Sequence, residues 1–307
     1  MDYRYNQSNI EYGRDGFLAN LKMRQDSPLS RAIDDESTRS WNEKDYQHTI
    51  EPKLSIAKSI FAFEFTPTLN FKRQQLDYHK RNLPDLSLKQ EYRYWAIEAL
   101  FRVRSSPVGS LLARFHSTPN IPSIHSFVSY PDKTDPQYIV MGNENLTMGR
   151  SNTLVAWYWR NFVQDGEKRK LTRTLSAHLL YSRQQNDVAN FTTYNRKTGV
   201  VTIQPVNVSG NWNGKVNIGF SSPMDIAQHW WLELLAETSL LRTKTFLGTN
   251  EQGVNSQQVN DNLLSSHSLN ITPRLRLAAF NCSLTYQLTL ESNKGTYASA
   301  NQTGQWQ

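Results

Sequence analysis

The chain has 307 residues, 38% of them hydrophobic and 11% aromatic, with a mean hydropathy of −0.63, leaner in apolar residues than a conventional core of this size. No run of about 18 apolar residues occurs, which excludes a helical membrane span but not a transmembrane barrel, whose strands need only every second residue apolar. The net charge is +7, yet the basic residues are dispersed, and the densest cluster, Lys168-Arg169-Lys170, reads as a solvated turn rather than a nucleic-acid footprint.

Taken in chain order, the dominant pattern is alternation with a period of two. Phe17, Ala19, Leu21 and Met23 alternate with Asn20, Lys22 and Arg24. Trp95, Ile97, Ala99, Phe101 and Val103 alternate with Tyr94, Glu98 and Arg102. Leu175, Ala177 and Leu179 oppose Thr174, Ser176 and His178, and Trp212, Val216, Ile218 and Phe220 oppose Asn211, Asn213, Lys215 and Asn217. From Trp230 to Leu240 the even positions Trp230, Leu232, Leu234, Ala236 and Leu240 are apolar while Glu233, Glu237 and Ser239 interrupt the odd face. Phe280 to Leu290 repeats the design. These windows are rich in Thr, Val, Tyr, Trp and Phe and lack the i, i+3, i+4 stripe of a helix, so the prediction is two-faced strands and no long helix.

The connections alternate as well. Short ones are expected near 57–59, 104–108, 164–169, 222–228 and 279–281, and long ones at 25–42, 77–89, 118–150, 185–209 and 249–262. Reversing strand direction at each link puts all the short links on one side and all the long links on the other, as in outer-membrane barrels. The turn Asn195-Arg196-Lys197-Thr198-Gly199 predicts a hairpin inside the fourth long link. Gly248 and Gly253 predict a mobile tip in the fifth. Pro273 predicts a bulge or register adjustment. The expected fold is an all-β, antiparallel transmembrane β-barrel of about twelve visible strands, spanning 1–307 as one segment with no separate second domain.

Beyond the pattern, certain phrases carry a resemblance. Ile121-Pro122-Ser123-Ile124, Asp135-Pro136 followed by Met141-Gly142-Asn143-Glu144-Asn145-Leu146, Gln204-Pro205-Val206-Asn207 through Gly210-Asn211, and Asn301-Gln302-Thr303 follow in the order seen in the Bacteroidetes-type outer-membrane β-barrel family. That family resembles TonB-dependent receptors, and the likeness runs from about Tyr12 to the end. The resemblance implies a place in the bacterial outer membrane, lipid contact, uptake of a nutrient or chelate, an N-terminal plug domain and a TonB-type energy-coupling protein. Without a recognisable signal peptide, plug or coupling segment, and with about twelve strands against about 22 in plugged transporters, the sequence reads as a portion of a larger barrel.

Chemistry is sparse. The seven histidines lack metal-site spacing, there is no G-x-S-x-G elbow and no phosphate loop, so neither enzyme, metal nor cofactor is expected. Cys282, between Phe280 and Leu284, is expected to be buried. Trp157, Trp159, Trp230 and Trp231 are expected to anchor at a membrane interface rather than bind sugars. The lumen-facing candidates for ligand contact are Glu98, Arg102, His178, Lys215, Glu233, Glu237, Arg274 and Arg276, the ligand itself being unread. Two rival readings remain: a soluble or surface-exposed all-β carbohydrate-binding module, and a structural or adhesive barrel without transport.

Overall fold

A computed structural model describes residues 10–18, 21–23, 31–33, 39–80, 83–106, 108–135, 137–165, 170–251, 254–277, 280–295 and 302–306. Everything described is β-structure and links, apart from one 3-10 turn at Ile124–Phe127. The chain opens with β1 (Ile10–Leu18) and the small hairpin β2 (Leu21–Met23) and β3 (Arg31–Ile33). The single strand expected through Phe17 to Met23 is therefore two elements with different partners. Ala19, Asn20 and Arg24 lie outside the described residues, as do Lys168 and Arg169 of the basic cluster and Gly253 of the expected tip.

The main sheet continues with β4 (Arg39–Ile50), β5 (Leu54–Lys58), β6 (Phe61–Lys80), β7 (Leu86–Ser106) and β8 (Gly109–Asn120). The link after β8 holds the 3-10 turn, β9 (Asp132–Asp135) and β10 (Tyr138–Val140). There follow β11 (Gly149–Asp165), β12 (Lys170–Gln185), β13 (Asp187–Tyr194), β14 (Val201–Val208) and β15 (Asn211–Pro223). The last are β16 (Trp230–Glu251), β17 (Val254–Leu277), β18 (Phe280–Ser283), β19 (Tyr286–Gly295) and β20 (Gln302–Trp306).

Antiparallel pairing runs β1, β4, β6, β7, β8, β11, β12, β15, β16, β17, β19, β20. β5 continues β4 along β6 in the same register, since Ile50 opposes Leu69 and Leu54 opposes Phe65. The interruption at residues 51–53 has a cause in the sequence: Pro52 falls opposite Pro67, and neither can donate to the ladder. β18 continues into β19 along β17 in the same way. Pro273 sits inside β17 without the expected register shift; the break appears instead on the neighbour, at Leu284 and Thr285, where Leu284 N–H donates to the Pro273 carbonyl at 3.1 Å. β1 and β20 are the outer members of this series, and among the described residues they do not pair with each other.

Residues directly opposed in an antiparallel ladder point to the same side, so the registers define two faces. One carries Phe61, Phe63, Leu69 and Phe71 of β6, then Trp95 and Phe101, Phe115, Leu154, Leu179, Val216 and Ile218, Leu234, Leu269 and Leu290. The other carries Asp45, Asn70, Lys72, Gln74, Glu98, His178, Lys215, Glu237, Ser268 and Thr289. The polarity is inverted relative to a water-soluble fold. Phe61 is 51% exposed, Trp95 54% and Leu290 57%, whereas Asn70 and Gln74 are each 5% exposed.

The long links fold over the polar face. Ile124 and Val128 pack on Leu76 and Tyr78, with Trp41, Leu86, Leu88 and Tyr130 around them, and all the sheet residues in that cluster belong to the polar side. The expected hairpin in the fourth long link is present as β13 and β14, which prolong β12 and β15 in one register. At Asn186 (φ 53°) and Gly210 (φ 103°) the hairpin kinks, so that β13 lies parallel to the far end of β16 and β14 parallel to β10. The fifth long link is shorter than expected: β16 runs to Glu251 and β17 starts at Val254. Apart from Gln252, which lies outside the described residues, its Asn, Gln and Ser residues belong to strands.

Candidate functional site

The four strands β13, β14, β10 and β9 make a ribbon that begins at β16 and ends beside β4, where Asp132 of β9 pairs with Arg39 at 2.6 Å. Four inter-strand steps cover ~20 Å, while the seven steps from β4 to β16 along the main sheet cover ~33 Å. The main sheet therefore curls toward its polar side, and the ribbon bridges the mouth at the long-link end.

Side-chain hydrogen bonds hold the ribbon where it is. The Gln204 amide donates to the Gly142 carbonyl at 3.1 Å and the Asn143 amide to the Pro205 carbonyl at 2.9 Å. Asn207 accepts from Thr147 N–H at 2.8 Å and donates to the Asn186 carbonyl at 3.0 Å. Gly142 is required by closeness: a Cβ there would lie 2.3 Å from the Val128 carbonyl oxygen, which also accepts the Gly142 N–H. The phrases that carry the family resemblance, Ile121 to Ile124, Met141 to Leu146 and Gln204 to Asn207, are thus neighbours in space. Pro136 lies outside the described residues.

Beneath the ribbon is a pocket of about 530 Å³, whose walls include Arg39, Trp41, Tyr78, His125, Asp132 and Asn190. His125 Nε2 lies 3.2 Å from Glu43, and its ring meets Trp41 edge-on at 5.8 Å. Burial would lower the basicity of Arg39, but the hydrogen bond and charge of Asp132 outweigh it and hold the guanidinium firmly protonated. Burial pushes the Tyr78 phenol up. The Trp41 indole N–H is buried without a described partner. These groups were not singled out in the sequence, because only the fold brings β4, β6 and residues 121–148 together.

All eight sequence candidates lie on the polar face, and the structure joins most of them in pairs. Glu98 pairs with Arg114 at 2.7 Å, Lys215 with Glu237 at 2.8 Å and Arg274 with Glu233 at 3.1 Å. His178 stacks on Trp157 with ring centroids 5.3 Å apart, and Arg276 lies 5.1 Å from the Trp231 ring centre. Arg102 stands in a second pocket, of about 390 Å³, with Arg104 and Trp159. The eight do not converge on one centre; they line a surface crossing β7, β12, β15, β16 and β17. Among the described residues no three side chains are placed to hold a metal ion.

Two expectations fail here. Trp157, Trp159 and Trp231 share the polar face with His178, Ser176 and Arg274, so they do not meet the apolar surroundings that an interface anchor needs; Trp230 and Trp95 do lie on the apolar face. Cys282 is exposed rather than buried, because Phe280 and Leu284 beside it face outward too.

No family model matches this sequence, and no curated protein is detectably similar to it.

Proposed function

We propose that this chain is the membrane-embedded part of a bacterial outer-membrane β-barrel, of the TonB-dependent-receptor-like kind that its sequence resembles, and that it serves uptake of a nutrient or chelate. The observation that carries the reading is the inverted polarity of the sheet. The apolar run on β6 extends from Phe61 to Phe71 and that on β16 from Trp230 to Leu240, each about 11 residues, the length with which a tilted strand crosses a bilayer. In water, so large an apolar area would be covered by association or a second layer. In lipid it is the stable arrangement, and the ion-paired face becomes the interior.

On this reading the ribbon side is extracellular and ligand enters there, past the pocket at Arg39 and Trp41 to the paired charges below. A plug domain and a TonB-type energy-coupling protein are the partners the reading requires. A soluble carbohydrate-binding sandwich is less favoured, since a sandwich buries apolar faces against each other and no described residue covers this one. The test is partitioning. Expressed with an export signal in a Gram-negative host, the protein fractionates with the outer membrane and changes gel mobility on heating; recovery as a soluble periplasmic monomer sinks the proposal.

A further inference from the structure

Most acidic and basic groups on the polar face are matched. Lys53 holds Glu64 at 2.7 Å, Lys72 holds Asp45 at 2.9 Å, and Glu98, Glu233 and Glu237 each have a basic partner. Arg102 and Arg104 break the pattern. They sit two apart on one face of β7, near the short-link end, and neither makes an ion pair with any described residue. The carboxylate that senses the Arg102 charge, Glu64, is the one Lys53 already occupies. Two like charges placed ~7 Å apart along a strand repel and leave a local positive field.

The surroundings make a pocket of that field. Arg102, Arg104, Ser110, Trp159 and Asn161 line a volume of about 390 Å³. Trp159 is 43% exposed, so its ring is open to a ligand on the polar side. The backbone beneath is fixed, because Arg104 N–H donates to the Ile60 carbonyl at 2.7 Å and the Tyr158 hydroxyl to the Val108 carbonyl at 2.6 Å. Arg160 also lines the pocket, but its guanidinium is turned to the apolar face, 4.6 Å from the Phe162 ring centre, which leaves Arg102 and Arg104 as the charges on the polar side.

We propose that this pocket binds a small organic oxyanion, a carboxylate carried on a flat apolar body, with Arg102 and Arg104 taking the carboxylate and Trp159 the ring. Guanidinium forks match carboxylate geometry with paired hydrogen bonds, and a planar ligand gains from lying on an indole. Arg114, Lys215 and Arg274 are each taken up by a glutamate and Arg276 lies against the Trp231 ring, whereas Arg102 and Arg104 stand together. The proposal gives the uptake reading a ligand class and rests on it for its biological role, but the two fail separately: binding in detergent reports on the pocket, partitioning on the membrane.

The experiment is calorimetric titration of the detergent-folded full chain with benzene-1,3,5-tricarboxylate, citrate and inorganic phosphate. Binding is expected to be tightest for the aromatic tricarboxylate, to weaken with salt, and to fall at least about tenfold in the double variant Arg102→Gln, Arg104→Gln. Trp159→Leu should weaken the aromatic acid more than citrate. Heat-modifiable mobility checks that each variant is folded. Absence of saturable binding by all three anions up to about 10 mM, or an affinity unchanged in the folded double variant, overturns the proposal.

Discussion

Substituting Ile218 by lysine separates a lipid-facing sheet from a water-facing one. Ile218 lies mid-strand in β15 between Ala177 and Ala236 and is 49% exposed, so small neighbours leave it open to whatever surrounds the apolar face. If that is hydrocarbon, Ile218→Lys costs about 2–4 kcal/mol, as for cations at mid-depth on barrel walls, or roughly 30- to 700-fold in the folding equilibrium. If it is water, a surface change costs within about ±0.5 kcal/mol. The matched control is Ser268→Lys, at the same depth on the polar face opposite Glu237, expected to stay within about 0.5 kcal/mol of the parent. Urea unfolding from lipid vesicles measures both. An Ile218→Lys variant as stable as the parent refutes the assignment of faces.

Other consequences follow from the ribbon and its surroundings. Gly142→Ala places a methyl group 2.3 Å from the Val128 carbonyl and should unseat residues 121–148, seen as faster proteolysis there with the main sheet intact; unchanged protection would show that the link is not held as described. A double-mutant cycle on Arg39 and Asp132, replacing each by leucine, should give a coupling on the order of 1 kcal/mol, and a coupling near zero would remove that clasp. Asp261 is held below the ordinary carboxylate range first by its hydrogen bond from Arg242, and Asp225 by the N–H of Trp230. Because both values are depressed on folding, their stabilisation is present at neutral pH and is lost as pH falls through the carboxylate range. Hydrogen exchange at the β16–β17 end should therefore speed up in acid beyond the intrinsic rate, and Asp261→Asn should remove that dependence.

The alternation was legible because a half-apolar strand writes its two faces at every second residue; the β7, β12, β15 and β16 windows needed no tertiary information. The eight polar candidates shared a face for the same reason. Parity within a strand does not reveal which neighbour it meets, however, so Trp157 and Trp159 were assigned to an apolar interface that the β11–β12 register does not give them. Cys282 was read by the rule that apolar neighbours mean burial, which reverses when the apolar face points outward. The Asn, Gln and Ser residues of 249–262 looked like a loop although β16 and β17 continue through most of them, because strand extensions beyond an apolar band are as polar as loops. Of the ribbon, the turn at Asn195 to Gly199 marked the β13–β14 hairpin, but the parallel pairings of β13 with β16 and β10 with β14 were invisible, because they join segments far apart in sequence.

Tryptophans of known face report directly which side of the sheet meets lipid. Single-tryptophan variants retaining Trp95 or Trp230, on the apolar face, and Trp157 or Trp159, on the polar face, are folded into vesicles and quenched with brominated lipid or aqueous iodide. Brominated lipid is expected to quench Trp95 and Trp230 while iodide quenches Trp157 and Trp159. Quenching of Trp95 and Trp230 by iodide alone would contradict the assignment of faces.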